Sequence, residues 1–299
     1  MLTHKIACGN LLIDFKIYHY RRNFSMAQII SVVMNKGGVA KTTLVTNLAG
    51  ALGIEKNAKV LIVDTDGQGN STATFGFDPD DFEDTIYDAF TGKRTIEEVT
   101  VKVNDNIDLV PANEDMNFLD FDILTNLNEY PNYFTLLKEA LRLVDDKYDY
   151  IVIDSPPSMG LVTSNVIVSS DDILLPYIPE PYGAMGLLRV IKAIMKFKDE
   201  LNPKLNIQGV VGMMVDKRTI VHANFLEQAR LYCKQAGVKV MRTTIPKSTV
   251  FPKAVAYEHK PAVYNTSKGK KHAAASYYDL MEEILNGKTE PRLHETINA

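Results

Sequence analysis

Short apolar runs alternate with amphipathic ones along the chain. Runs dense in β-branched residues predict strands at Ile29–Met34, Val60–Val63, Ile107–Val110, Tyr150–Asp154, Ile173–Ile178, Ile207–Val215 and Val238–Met241. Several of them are apolar without polar alternation, the pattern of strands covered on both faces. Between them, apolar positions at helical spacing predict helices near Lys41–Ile54, Asn132–Val144, Gly186–Leu201, Ala223–Gln235 and Ala273–Leu285. Strand–helix alternation through short connections implies an α/β fold with a doubly wound, mostly parallel sheet flanked by helices. No internal repeat and no Pro/Gly/Ser-rich linker divides the chain. One domain is therefore expected over residues 27–287, between an N-terminal arm (1–26) and a C-terminal tail (288–299). The stretch from Phe75 to Thr100 breaks the rhythm with the acidic "DPDDFEDTIYDAF", which predicts small helices in a solvated insertion outside the sheet.

Composition narrows the chemistry. An apolar fraction of 45% over 299 residues can fill a sizeable core. Cys8 and Cys233 are far apart, and the histidines form no HxxH or HxxxH pair. A disulfide scaffold, an iron–sulfur cluster and a zinc site are thereby disfavoured, and a reducing compartment is expected. No run of 18 apolar residues exists, and Asp14 interrupts the apolar stretch near the start, so neither a membrane span nor a secretory signal is expected. The net charge of −4 hides an asymmetry: Lys234–Lys271 carries nine Lys/Arg against Glu258 alone, a local +8, while the rest of the chain sums to −12. That local balance suits a polyanionic partner.

The loop after the first predicted strand reads Lys36-Gly37-Gly38-Val39-Ala40-Lys41-Thr42-Thr43. Glycines let backbone N–H groups turn inward around phosphate oxygens, and the following helix presents its positive end to the same oxygens. Lys41 supplies a point charge at the β- and γ-phosphates, and the Thr42 hydroxyl is placed to coordinate Mg2+. Ala40 stands where a glycine commonly precedes that lysine, at a position that demands special backbone angles. Two further strand ends supply acids: "VLIVDTDGQGNST" offers Asp64 and Asp66, and "YIVIDSPPS" offers Asp154. Ligands of open parallel sheets bind outside the carboxyl ends of the strands, where such acids hold Mg2+ or its waters, or orient an attacking water.

With its opening lysine in KGGxxK[ST][ST], "DTDGQGNST" and "IVIDSPPS", the sequence strongly resembles the deviant Walker A ATPases of the ParA/MinD type, a branch of the P-loop NTPases. "LLPYIPEPYGAMGLLRVI" and "IPKSTVFPKAVAYEHKPAVYN" resemble the ParA branch, which segregates plasmids and chromosomes, and the likeness runs from about Ala27 to Leu285. The resemblance implies an Mg2+-dependent ATPase in which Lys36 reaches across an ATP-sandwich homodimer to the phosphates of the other subunit. It further implies that Asp66 serves hydrolysis through the attacking water, that Asp64 and Asp154 act on Mg2+ or its waters, and that Ser155–Asn165 senses the nucleotide. Adenine would lie against Met214 and Pro246. Gly67 departs from the proline that family members usually carry after the hydrolytic acid.

The same resemblance implies non-specific binding of double-stranded DNA by the ATP-bound dimer, a centromere-binding adaptor that stimulates hydrolysis, and a cytoplasmic, nucleoid-associated location. Within the +8 segment the candidates for DNA contact are Lys247, Lys253, Lys260, Lys268, Lys270 and Lys271, with Lys217 and Arg218 as neighbours. A MinD-like, membrane-recruited positioning ATPase is the rival reading. It calls for a basic amphipathic C-terminal helix, which "KTEPRLHETINA" does not resemble. A small-molecule ligase of the same superfamily is a further alternative.

Overall fold

Residues 26–216 and 218–287 are described by the structure, a computed structural model. The expected tail, Lys217 and all of the expected arm except Met26 lie outside the described residues. The described residues begin with β1 (Gln28–Val32), α1 (Lys41–Glu55), β2 (Val60–Asp64) and α2 (Asn70–Thr74). It continues through α3 (Ile86–Thr91), α4 (Ile96–Val99), β3 (Val101–Lys102), β4 (Ile107–Val110), α5 (Leu119–Thr125) and α6 (Leu136–Leu141). The central crossover comprises β5 (Tyr150–Asp154), α7 (Leu161–Ser169), β6 (Asp172–Tyr177) and α8 (Gly183–Glu200). Then follow β7 (Asn206–Val215), α9 (Ile220–Gln235), β8 (Val240–Pro246), α10 (Val250–Glu258) and α11 (Ser276–Asn286).

Among the described residues, eight strands join one sheet in the order β3-β4-β2-β5-β1-β6-β7-β8, parallel except for the short β3 against β4. Alternate residues of each central strand feed opposite cores. Leu61, Val63, Ile151 and Ile153 pack with α5, α6, α7 and α8, whereas Val60, Ile62, Val152 and Ile30 pack with α1 and α11. Burial on both faces is why these strands lack polar alternation. The P-loop strand β1 lies between β5 and β6, so the carboxyl ends of β1, β2 and β5 form one adjacent row.

Several expectations shift. All nine residues of α7 are buried, which leaves it no polar stripe and hides it from a search for helical spacing. The segment from Phe75 to Thr100 forms small helices as expected, but it is not merely solvated: Ile86, Phe90, Ile96 and Val99 join the core. β8 runs further than Val238–Met241 because its outer edge is satisfied from another element. Glu283 of α11 accepts hydrogen bonds from the backbone N–H groups of Arg242 and Thr243, each at 2.8 Å. α6 covers only the middle of the helix expected over Asn132–Val144; Asn165 accepts from Leu137 N and donates to Tyr133 O, ordering the preceding residues as a turn.

Candidate functional site

The phosphate-type loop joins β1 to α1. Gly38 has φ +72°, and Ala40, the residue that caps α1, sits in the left-handed region at φ 67°, ψ 36°. The special geometry expected at Ala40 is therefore present, borne by a residue with a Cβ. That conformation costs an alanine roughly 1–2 kcal/mol relative to the right-handed region. No side chain caps α1, so its first-turn N–H groups remain available to an anion. A Cβ on Gly37 or Gly38 would meet nothing within 4 Å, so both glycines border open space. Val39 is buried and anchors the loop to the core.

Lys41 is buried, with its Nζ donating to Lys36 O at 3.3 Å. Burial lowers its pKa, and the carboxylates of Asp154 and Asp66 oppose that shift. Thr42 Oγ1 donates to Asp154 Oδ2 at 2.6 Å, and Ser71 Oγ donates to the same oxygen at 2.9 Å. Asp154 Oδ1 is also buried but accepts no hydrogen bond among the described residues. Asp64 and Asp154 are register partners on adjacent strands β2 and β5, and both are fully buried. Thr72 donates to Asp64 Oδ2 through its N–H (2.9 Å) and its hydroxyl (3.0 Å). Burial pushes Asp154 up to about 6 despite the donors and Lys41; burial and then the Asp154 charge push Asp64 up as well.

Two acids this close in a dry setting, one with an orphaned oxygen, outnumber the one cation beside them, Lys41. Among the described residues no three His, Cys, Asp or Glu converge as a metal cage. The donor set is instead one hydroxyl and carboxylate oxygens beside a phosphate-type loop, which suits Mg2+, an ion that keeps waters and phosphate oxygens in its shell. Asp66 follows β2, and its Oδ1 accepts from Gln68 N at 3.2 Å. Ser155 Oγ donates to Val32 O at 2.8 Å, so that serine ties β5 to β1.

Lys36 lies at the mouth of the loop, its Nζ ion-paired with Glu180 of the loop after β6. Met214 (φ +52°) and Pro246 stand at the carboxyl ends of β7 and β8, where Val215 pairs with Pro246. Met213 is buried while Met214 turns outward, which separates a core side chain from a surface one at the strand end. Of the basic candidates, Lys247, Lys253, Lys268, Lys270 and Lys271 are exposed and Lys260 is half-buried. Lys260 pairs with Glu258 (3.0 Å), Lys268 with Glu282 (3.1 Å) and Arg218 with Asp216 (2.8 Å).

The sequence alone assigns no role to Ser71, Thr72, Glu180 or Asn117. The first two stand inside the quoted "DTDGQGNST", and their hydroxyls next to strand-end acids were the available signal. Asn117 could not be found that way: only the fold brings it beside Gly67, where an added Cβ would lie 2.6 Å from Asn117 Oδ1.

The comparisons bear on the family and the fold. Residues 27–207 match the family model described as an AAA domain. The chain is 31% identical over 268 residues to a ParA family protein of Mycoplasma pneumoniae, covering 86% of this chain and 97% of that one. It is 31% identical over 266 residues to the chromosome partitioning protein ParA of Myxococcus xanthus, covering 89% and 90%. Cobyrinic acid a,c-diamide synthase of Mycobacterium smegmatis, solved with an ATP analog and magnesium, aligns at a TM-score of 0.75 and 26% identity, covering 89% of this chain and 97% of that one. A buried lysine and a half-buried threonine at the head of α1, beside strand-end aspartates on a doubly wound sheet, and relatives matched over nearly their whole length lead to one conclusion: the chain belongs to the ParA family of P-loop ATPases.

Proposed function

We propose that this protein is a DNA-segregation ATPase that hydrolyses ATP with Mg2+, closes as an ATP-sandwich homodimer and binds double-stranded DNA without sequence preference in that state. A centromere-bound adaptor then stimulates slow hydrolysis and releases the dimer. The observation that carries the reading is the union of two lysines on one phosphate-type loop with the Thr42–Asp154 hydrogen bond beneath it. Relatives named for chromosome and plasmid partition support it. The location that fits this cycle is cytoplasmic and nucleoid-associated; no helix among the described residues is long and apolar enough to cross a membrane.

In this reading the N–H groups of residues 37–43 wrap the phosphates, and Lys41 neutralises the β/γ oxygens from a buried position. The Thr42 hydroxyl, Asp154 and Asp64 hold Mg2+ directly or through its waters, and the ion supplies charge neutralisation at the phosphates. Asp66 orients the attacking water and accepts its proton. Lys36 leaves Glu180 and meets the phosphates bound by the partner subunit. A cation supplied across the interface favours association only while the anion is present, so nucleotide biases the monomer–dimer equilibrium. Met214 and Pro246 flank the adenine. Lys247, Lys253, Lys270 and Lys271 contribute most of the DNA contact, since Lys260 and Lys268 already face carboxylates.

A second reading is favoured by one observation, the likeness to an amide-forming synthase: the same ATP site would then activate a small-molecule carboxylate. Fluorescence anisotropy of a random-sequence DNA duplex, titrated at two salt concentrations with ATPγS and with ADP, separates the two. Salt-sensitive binding with ATPγS alone is expected. Equal absence of binding with either nucleotide overturns the segregation reading and leaves the ligase and the membrane-recruited readings.

A further inference from the structure

A groove of about 420 Å³ runs between α3, α4 and α6. Buried Phe90 and the more open Tyr130, Leu136, Ala140 and Leu143 line it. It exists because α6 is apolar on two sides. Leu137, Leu141 and, just past the helix end, Val144 are buried in the core. Leu136, Ala140 and Leu143 repeat that spacing toward the groove, where Leu143 is 60% exposed. A surface helix normally spends its outer side on polar residues, so a second apolar stripe marks a surface that something covers. The charges at the rim are met locally: Lys93 lies 5.2 Å over the Tyr87 ring and Arg94 pairs with Asp84 at 2.8 Å. Glu98 accepts from Thr95, and Glu139 lies 3.3 Å from Arg142. The groove therefore selects its occupant by apolar shape rather than by charge.

We propose that the occupant is the chain's own N-terminal arm, residues 1–25, held through the apolar edge Leu11, Ile13, Phe15 and Ile17. Those four residues alternate with Leu12, Asp14, Lys16 and Tyr18, the period of an extended segment with one apolar side. The docking goes beyond the ATPase cycle described above and stands independently of it.

The place where the arm meets the domain carries the argument. Ala27 N donates to Asp145 O at 2.7 Å, and Asp145 stands two residues after Leu143. The arm is thus tethered beside one end of the groove. An extended chain covers about 3.3 Å per residue, so the stretch from Ile17 to Met26 reaches up to about 33 Å. The stripe from Leu136 to Leu143 is only about 11 Å long at helical rise. Reach is therefore ample for the anchors to lie along it. The tether also decides between occupants. A short linker gives an effective concentration of about millimolar, roughly a thousandfold above a second copy present at micromolar concentration.

The chain has no tryptophan, so Leu143→Trp places a single reporter in the groove. Leu231→Trp on α9 is its matched reference, since Leu231 is 58% exposed. Each is read in the full chain, with the native arm and with Ile13→Asp, Phe15→Asp and Ile17→Asp combined. The groove reporter is expected to emit to the blue of the reference and to resist acrylamide quenching. The arm substitutions should abolish both differences, and the reference should be the same in both backgrounds. Leu143→Cys with Cys8→Ser repeats the test without the bulk of an indole, because the remaining thiol, Cys233, is buried. Its maleimide labelling should speed up severalfold when the arm is substituted. Groove emission equal to the reference, a blue shift that survives the arm substitutions, or a labelling rate indifferent to them each overturns the proposal. A blue shift that fades on dilution also overturns it, by assigning the groove to the arm of a second copy. No step uses nucleotide, so failure here leaves the ATPase reading untouched.

Discussion

Thr42 Oγ1 hydrogen-bonds Asp154 Oδ2 at 2.6 Å, joining the first turn of α1 to the end of β5 across the floor of the candidate phosphate site. Asp154 is fully buried there, with a second carboxylate, Asp64, as its register neighbour. Stability and ligand binding therefore pull against each other at one residue.

Asp154→Asn is expected to stabilise the nucleotide-free protein by about 1–3 kcal/mol at neutral pH while abolishing Mg2+-dependent nucleotide binding. The sign follows from a pKa raised from 3.8 to about 6. Below pH 3.8 the carboxyl is protonated in both states and the substitution gains nothing. Between 3.8 and 6 the unfolded chain ionises first, so the native protein loses stability as pH rises, and above about 6 the full cost is present. Urea unfolding at pH 4 and pH 7.5 measures the difference, and fluorescent-nucleotide titration with and without Mg2+ measures the binding. Equal stability at both pH values would refute the buried-charge account.

Ala40→Gly is expected to stabilise the chain by about 0.5–1 kcal/mol. Glycine relieves the left-handed strain of an alanine at φ 67°, and the added freedom of the unfolded chain cancels part of the gain. A shift of the urea midpoint at constant slope is the readout.

Lys36→Ala should leave the monomer's stability within about 1 kcal/mol, because its ion pair with Glu180 is exposed on both sides. The same substitution should abolish dimerisation with ATPγS. Light scattering after size exclusion decides the matter, and a dimer that survives would remove Lys36 from the interface.

Lys253→Ala and Lys270→Ala are each expected to flatten the log–log salt dependence of DNA binding by about 0.9. Lys268→Ala should change it less, since its ammonium already lies 3.1 Å from Glu282. Equal effects at Lys253 and Lys268 would contradict a reading in which intramolecular pairing decides which lysines are available.

The sheet, the phosphate-type loop and the strand-end acids were legible along the chain because each depends on neighbours in sequence. Unalternating apolar runs mean strands buried on both faces, and Lys41, Thr42, Asp64, Asp66 and Asp154 stand at the ends of such runs. Four described helices, α2, α5, α7 and α10, escaped, two of them for opposite reasons. α7 is buried all round and has no polar stripe to reveal it, while α5 spreads apolar residues over both sides in only seven positions.

By itself, then, the sequence determined the α/β alternation, the loop chemistry and the family, since backbone geometry and spacing within a few residues specify them. Only the tertiary structure decided which groups meet across long separations: Ser71 and Thr42 on one oxygen of Asp154, Asn117 against Gly67, Asp120 on the start of α7, and Lys36 opposite Glu180. Those contacts depend on strand order and on how each helix seats against the sheet. Both are set by packing the whole core at once, and no local pattern encodes them.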